Sequence, residues 1–253
     1  MGLGGLVRNL VLGASMLSYS FGCGSLPVNV EDSKDLSEPN NRKIPVSSVA
    51  KFLILGNLND GRETIDYCHA IVVGDKEFVS AKHCYEGKTI KDISMDADGI
   101  DINVCLDNKI KSSNKYDVSR VICKNDLRIS RSNLSKNYNV GDAVHMVFSQ
   151  HPFFFEYMKK YYDEDHDLEV FFNKKNNKYV AKGRILDISD YEIRTNIPSM
   201  QQYSGAGLFN ENGDLIGILS SGTNGYILKT NVGDFKFGPD SKFVPISKLE
   251  DVE

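Results

Sequence analysis

Short apolar segments separated by turn residues dominate the chain from about residue 46 onward. Typical examples are HAIVVG (69–74), EFVSA (77–81) and DLIGILSSG (214–222), which are rich in Val, Ile and Phe. Pairs such as GD, DG and NG lie between them, and many short strands with regular turn signals are typical of an all-β sandwich or barrel. No long stretch has apolar residues at helical spacing. Only the last ten residues, VPISKLEDVE, predict one short C-terminal helix.

The charge balance and the absent motifs exclude several classes of function. The formal net charge is −4, from 30 basic and 34 acidic residues among 253, so no basic surface for nucleic acid is expected. We find neither zinc-ligand spacing nor a Gly-rich phosphate loop, and we expect no cofactor and no metal. The segment SMDADGID (94–101) matches only the first half of a calcium loop, because Cys105 stands where the last acidic ligand belongs.

The first 22 residues have the composition of a signal peptide. Arg8 precedes an uncharged stretch from Leu10 to Gly22, which is too short to span a bilayer, since a span needs about 20 apolar residues. The alternative is a buried N-terminal helix. Residues 24–46 are polar and contain three prolines, which favours a flexible tether over 23–46 and a folded domain over 47–253.

Cys23 directly follows the apolar stretch and has Gly22 before it. A small residue before a cysteine resembles the lipobox of bacterial lipoproteins, so we predict lipidation of Cys23 and attachment to a membrane. The alternative is cleavage near Ser20, which gives a freely secreted protein. Either route predicts export from a bacterial cytoplasm, to the periplasm, the outer membrane or the medium.

A histidine lies at the end of a predicted hairpin, CHAIVVGDKEFVSAKHC, which runs from Cys68 to Cys84. The ends of a hairpin of this length come close together, so a disulfide can join the two cysteines and fix His83 beside it. His83 is a candidate general base, because the pKa of histidine lies near physiological pH. The other four histidines, His69, His145, His151 and His166, have no such motif and are interpreted as structural or surface residues.

A serine and an acidic residue are candidates to act together with His83. Ser204 lies in a Gly-containing turn before a strand, in QQYSGAGLF, and is the candidate nucleophile. Serine needs a base within hydrogen-bond reach, and that base needs an acid to orient it. Asp126, in KNDLRIS, is the preferred acid, and Asp101 and Asp117 are the alternatives.

These motifs together resemble the chymotrypsin-like (trypsin-fold) serine proteases, over roughly residues 47–250. SAKHC is similar to the T-A-A-H-C box of that family, and NDLRIS to its D-[IL]-A-L box. YSGAGLF followed by GDLIGILSSG is similar to G-D-S-G-G-P followed by G-x-[IV]-G-[IV]-x-S-x-G. The resemblance implies two six-stranded antiparallel β-barrels with the site in the cleft between them.

The resemblance also implies the role of each residue. His83 would be the base, Asp126 its orienter and Ser204 the nucleophile of an endopeptidase that forms an acyl-enzyme. The backbone N–H groups of Gln202 and Ser204 would form the oxyanion hole. The resemblance also assigns substrate binding to Ser220, Ser221 and Gly222. Cys105 and Cys123, 18 residues apart with Cys123 three residues before Asp126, predict a second disulfide. The partner would be a protein or peptide substrate, and we expect a monomer.

Two departures from the family pattern keep a second hypothesis open. Gln202 stands where the family has Gly, and Tyr203 replaces an Asp that anchors a newly made N-terminus in many members. Tyr203 cannot form that ion pair, so trypsin-type activation is not supported. The alternative function is a catalytically inactive protein with the same fold, acting as a binding or surface protein.

Overall fold

The computed structural model describes residues 34–35, 43–97, 100–104, 109–149, 169–173, 178–222, 225–230 and 233–252. The predicted signal peptide 1–22 and Cys23 lie outside these residues, as does most of the predicted tether, so these three assignments stay predictions. Among the described residues, no helix has the length and apolarity that a membrane crossing requires.

Strands make up most of the described chain, and helix is limited to three short 3₁₀ segments. The strands, numbered β1 to β18 in chain order, are Lys34–Asp35, Val49–Leu58, Glu63–Gly74, Glu77–Ser80, Lys88–Ala97, Ile100–Val104, Lys109–Ser112, Ser119–Ile122, Ala143–Phe148, Glu169–Asn173, Lys178–Ile188, Ile193–Thr195, Ser199–Met200, Gly207–Asn210, Leu215–Gly222, Tyr226–Thr230, Gly233–Gly238 and Ser241–Pro245. The 3₁₀ segments are Val46–Ser48, Lys82–Cys84 and Ile246–Asp251. The predicted all-β class is confirmed.

The first half of the domain is a seven-stranded sheet with the order β6-β5-β2-β3-β4-β8-β7. Its neighbouring strands pair antiparallel, and in β2 alternate side chains are buried, as expected for a sheet with one face on a core. Phe52, Ile54, Val72 and Phe78 lie in that core. Within the described residues, β6 and β7 at the two ends of this sheet do not pair with each other. The sheet is therefore a half-barrel and not a closed barrel.

The second half is a closed barrel of six strands. β9, β11, β12, β18, β15 and β14 pair in that order, and β14 pairs with β9 to close the ring. The interior is filled by large apolar side chains that include Met146, Phe148, Ile193, Leu208 and Phe243. The predicted double-barrel architecture is therefore confirmed, with one barrel closed and the other half-formed in the described chain.

A third apolar cluster joins the two halves. Val49, Ile71 and Val79 of the first sheet share it with Val147 and Ile218 of the second barrel. The seam between the halves is consequently a packed core, and residues on either side of it are held at fixed distances.

The chain end ties the second barrel to the first sheet. Ile246–Asp251 forms a 3₁₀ helix with Ile246 and Leu249 buried, which confirms the predicted short C-terminal helix. Val252 then makes an antiparallel bridge to Ser113, in the loop between β7 and β8. That loop also contains Asp117, so the contact helps to fix one side of the candidate site.

Candidate active site

His83 lies at the end of the β3–β4 hairpin, as predicted. Strand β4 ends at Ser80, and the chain then turns through the 3₁₀ segment Lys82–Cys84. Cys84 is joined to Cys68 on β3 by a disulfide, with 6.5 Å between the two Cα atoms. The predicted Cys68–Cys84 bridge is confirmed, and it fixes the backbone directly beside His83.

His83, Ser204 and an aspartate form a continuous hydrogen-bonded chain, and the aspartate is Asp117. His83 Nε2 lies 2.8 Å from Ser204 Oγ, and His83 Nδ1 lies 2.7 Å from Asp117 Oδ2. The backbone N–H of His83 also donates to Asp117 Oδ1 over 2.9 Å. Because Asp117 accepts from both the ring and the backbone of His83, it fixes the position of the imidazole and its rotation.

Asp126 does not take part in this chain, so the assignment of Asp126 as orienter is wrong. Its carboxylate is exposed and lies 3.7 Å from Lys76 Nζ. The residues around it form no strand. Asp101 is in β6, and its side-chain environment lies outside the description. Of the two alternatives weighed for this role, Asp117 is the one the structure brings to His83.

Strand register explains why Asp117 and not Asp126 reaches the histidine. β4 pairs antiparallel with β8, with Ser80 opposite Ser119 and Glu77 opposite Ile122. Asp117 precedes β8 by two residues and therefore lies next to the residues that follow β4, where His83 is. Asp126 follows β8 and lies at the opposite end of β4. The sequence signal for Asp117 is YDVSRVI (116–122), in which the aspartate lies two residues before β8.

Asp117 is held in its ionised form. Burial alone raises the pKa of its carboxyl, but hydrogen bonds from His83 and from Ser220 outweigh this and lower the pKa below its usual value. Ser220 Oγ donates to Asp117 Oδ2 over 2.6 Å. An anionic Asp117 favours the Nδ1–H tautomer of His83, which leaves the Nε2 lone pair facing Ser204.

Two tight turns present Ser204. The N–H of Tyr203 donates to the carbonyl of Met200 over 3.0 Å, and the N–H of Ala206 donates to the carbonyl of Tyr203 over 2.8 Å. Gly205 has φ +84°, and a Cβ there would lie 2.0 Å from the carbonyl oxygen of His69. Only glycine fits this close approach, which explains the Gly that follows the serine.

Gln202 has a backbone conformation that is rare for a residue with a side chain. Its φ is +88°, and it is the third residue of the turn from Met200 to Tyr203. A positive φ at this position is characteristic of a type II turn; a type I turn would have its central peptide, and so the N–H of Gln202, rotated by about 180°. The conformation that Gly normally supplies is thus present here with Gln in its place.

The residues assigned to substrate binding lie at the end of β15. Ser220 contacts Asp117, Ser221 is exposed, and Gly222 pairs with Ser241 of β18. Gly222 lies against Ser199, since a Cβ on Gly222 would be 2.1 Å from Ser199 Oγ. The structure therefore brings these residues to the side of Ser204.

Only one cysteine of the second predicted disulfide, Cys123, is among the described residues. Cys123 is buried, and its N–H donates to the carbonyl of Lys76 over 2.7 Å. Cys105 lies outside the described residues, so the Cys105–Cys123 pairing stays a prediction. Across the described ranges, no three His, Cys, Asp or Glu side chains come together as a group that could hold a metal ion.

Similarity to known proteins is found at the level of structure. No family model matches the sequence, and no curated protein matches it either. A solved structure of the HtrA-type protease AlgW with a tripeptide superimposes with a TM-score of 0.54 at 14% identity, covering 83% of this chain and 60% of that one. The chain has the trypsin-like double-barrel fold. An alanine variant of AlgW with a decapeptide gives a TM-score of 0.53 at 14% identity, with coverage of 81% and 61%. The chain thus spans about 60% of the length of the proteins it superimposes on.

Proposed function

We propose that the protein is a serine endopeptidase that hydrolyses peptide bonds through an acyl-enzyme. The observation that carries the proposal is the chain of contacts from Asp117 through His83 to Ser204, with 2.7 and 2.8 Å between the hydrogen-bonding atoms. A serine, a histidine and a carboxylate in this order supply a nucleophile, a base and an orienter. Support from the fold is indirect, since the solved structures it resembles are proteases with peptides.

In the proposed reaction Ser204 Oγ attacks the carbonyl carbon of the substrate, and His83 Nε2 takes the hydroxyl proton. Asp117 remains ionised and stabilises the imidazolium that forms. When the tetrahedral intermediate collapses, His83 gives the proton to the leaving amine. Water then attacks the acyl-Ser204 ester with the same histidine as base, which releases the acid product and restores the hydroxyl.

The oxyanion of the intermediate would be held by the backbone N–H groups of Gln202 and Ser204. Neither N–H donates to another backbone group in the described part of the chain, so both are available to a substrate. The positive φ of Gln202 supports this role, because it orients the Gln202 N–H as in a type II turn. Removal of one such donor typically costs about 10²–10³ in kcat.

An inactive binding protein is the competing function, and the sequence support for it was Gln202 together with Tyr203. That support is weakened because Gln202 adopts the conformation usually found for glycine. Labelling with a fluorophosphonate probe separates the two functions. We expect the purified protein to be labelled and Ser204→Ala to abolish labelling. An unlabelled wild type, or a labelled Ser204→Ala variant, overturns the proposal.

We also propose that the chain is exported. The Cys68–Cys84 disulfide supports this, since such bonds persist in oxidising compartments. The apolar stretch 10–22 and Cys23 suggest a processed, lipid-anchored form. Cell fractionation with metabolic palmitate labelling tests it: label in the wild type and none in Cys23→Ser supports the anchor, and equal label in both refutes it.

A further inference from the structure

His69 is not one of the three residues Asp117, His83 and Ser204. Its backbone nevertheless makes close contacts to the turn over residues 200–206, which carries Ser204. Its N–H donates to the carbonyl of Ser204 over 2.7 Å. Its own carbonyl accepts from Ser80 Oγ over 2.6 Å and is the atom that a Cβ on Gly205 would meet. The first sheet therefore holds the second barrel's turn through the main chain of a single residue.

The imidazole of His69 crosses the seam between the two halves. The ring is fully buried, and its Nε2 accepts from the backbone N–H of Ser149 over 2.8 Å. Ser149 directly follows β9 of the second barrel. Because an N–H donates to Nε2, that nitrogen carries the lone pair, and the ring is the neutral Nδ1–H tautomer. A protonated ring would bring two donors together at this contact.

The surroundings keep this ring neutral. Burial lowers the pKa of His69 to about 3, and the charges of Lys51 and Lys178 act in the same direction. The backbone of Gln202 opposes them, although no group reaches hydrogen-bond geometry at Nδ1 in the described chain. The imidazole therefore stays a neutral acceptor throughout the ordinary pH range.

Tyr203 belongs to the turn that carries Ser204, and its ring contacts the imidazole of His69. It lies between Gln202 and Ser204, is 1% exposed, and stands edge-on to His69 with 6.3 Å between ring centroids. Its other neighbour is Phe148, at 4.4 Å, in the core of the second barrel. In the proteases that the sequence resembles, a charged Asp anchors this position. Here a neutral aromatic contact between Tyr203 and His69 takes its place.

On the premise that Ser204 is the nucleophile, we propose that His69 is a positioning residue for the reaction. Its neutral ring, held by Ser149 and packed on Tyr203, fixes the turn that presents the Ser204 hydroxyl and the Gln202 N–H. Groups that act on the oxyanion contribute mainly in the transition state. Loss of the His69 ring is therefore expected to lower kcat and leave KM nearly unchanged.

Two substitutions and a matched control test the proposal. His69→Leu removes the acceptor and leaves the part-buried Ser149 N–H without this partner. His69→Gln can return an acceptor oxygen near the place of Nε2. His145→Leu is the control, because it changes a second buried histidine of the described chain, on β9, where it pairs with Lys182 and Phe209. All three are compared by kcat, KM and the rate of fluorophosphonate labelling, with folding checked by circular dichroism.

We expect His69→Leu to lose about 10²-fold in kcat, as when one oxyanion donor is removed, with KM within about twofold. His69→Gln should recover at least about tenfold of that loss, and His145→Leu should keep the wild-type kcat. A folded His69→Leu variant with wild-type kcat, a loss confined to KM, or no recovery in His69→Gln overturns the proposal.

A second readout does not depend on activity. Nitrogen NMR of the histidine rings should show His69 as the Nδ1–H tautomer at pH 7 and pH 5. Amide hydrogen exchange at residues 201–206 should become at least about tenfold faster in His69→Leu than in His145→Leu. If the wild type proves inactive while these two results hold, the proposed function fails and the positioning role of His69 stands. Unchanged exchange in His69→Leu refutes the positioning role regardless of activity.

Discussion

Asp117 holds His83 from two directions: one carboxylate oxygen accepts from the ring Nδ1 over 2.7 Å, and the other accepts from the backbone N–H over 2.9 Å. The two contacts use both oxygens of a single carboxylate, so the ring cannot rotate without breaking one of them. Ser220 adds a third hydrogen bond to the same group. This relationship distinguishes Asp117 from Asp126, whose carboxylate is exposed and lies near Lys76.

Substitution of Asp117 should impair the chemistry far more than substitution of Asp126. In Asp117→Asn the amide can donate to Nδ1, which favours the wrong histidine tautomer, and we expect kcat to fall by about 10⁴. Asp126→Asn is the matched control, because the Asp126 carboxylate is exposed and lies 3.7 Å from the exposed Lys76. We expect its kcat within about twofold of the wild type. Peptide hydrolysis measured on both variants decides between the two acids, and a larger loss in Asp126→Asn would contradict the assignment.

Replacement of Gln202 by glycine should change the free energy of unfolding differently from replacement of the neighbouring Gln201. Gln202 has φ +88°, which costs a residue with a Cβ about 1–2 kcal/mol, and glycine removes that cost. Gly also loosens the unfolded chain, by about 0.4–1 kcal/mol. We expect Gln202→Gly to be neutral or stabilising, and Gln201→Gly, at the exposed preceding position, to destabilise by about 0.5–1 kcal/mol. Urea denaturation measures both; equal losses would show that Gln202 is unstrained.

Two buried histidines should make the fold sensitive to mild acid. Burial lowers the pKa of His69 to about 3 and that of His145 to about 4, and Lys51, Lys178 and Lys182 add to the effect. In the unfolded chain both titrate near pH 6.5, so the unfolded state binds more protons below that pH. The free energy of unfolding should then fall by about 2 kcal/mol per histidine between pH 7 and pH 5.

The variants His69→Gln and His145→Leu isolate each contribution to this pH dependence. Each should remove about half of the fall between pH 7 and pH 5, and the double variant should remove most of it. The measurement is urea denaturation at both pH values, where few carboxylates titrate. A pH dependence that survives in the double variant would assign it to other groups.

The disulfide should contribute to stability as well as to the position of His83. Cys68 and Cys84 are separated by 16 residues, and a loop of this size gives about 3 kcal/mol in the chain-entropy treatment. We expect the double variant Cys68→Ala/Cys84→Ala to unfold about 3 kcal/mol more easily. Non-reducing peptide mapping should recover the Cys68–Cys84 peptide, and its absence from folded protein would refute the bridge. The same map reports whether Cys105 pairs with Cys123.

The sequence was sufficient to predict those parts of the candidate site that are formed by contacts between residues close together in the chain. The hairpin that carries Cys68, Cys84 and His83 is closed by its own turn, and the Ser204 turn depends on the adjacent Gly205. The choice of acid was different, because it depends on the pairing of β4 with β8, more than 30 residues away. Two aspartates precede apolar residues in that region, and local pattern alone does not say which end of β8 meets His83.

Other features of the site depend on atoms that approach from distant parts of the chain. Gln202 has φ +88°, and the next residue, Tyr203, packs between His69 and Phe148, which lie 134 and 55 residues before Tyr203 in the chain. His69 belongs to no catalytic motif, so sequence pattern alone does not place it near the site. Its proximity to Cys68 was visible, but its contacts to Ser204 and Ser149 arise only when the two halves pack.

Substrate preference should be limited by the contact between Ser199 and Gly222. The Ser199 hydroxyl is buried, donates to the carbonyl of Asp240 over 3.3 Å, and lies against the backbone of Gly222. The resemblance implies that Gly222 binds substrate, so the side chain that precedes the scissile bond would enter beside Gly222, where Ser199 lies. The space already holds a serine side chain, so we expect cleavage after Gly, Ala or Ser to exceed cleavage after Phe or Arg by at least about tenfold.

A peptide library read by mass spectrometry measures this preference, and Ser199→Gly is the informative variant. Removal of the hydroxymethyl group should widen the accepted range toward Val and Leu. Gly222→Ala should act in the opposite direction, because its Cβ would lie 2.1 Å from Ser199 Oγ and would have to displace that hydroxyl into the remaining space. Efficient cleavage after Phe, Lys or Arg by the wild type would contradict the prediction, since such side chains need the volume that Ser199 occupies.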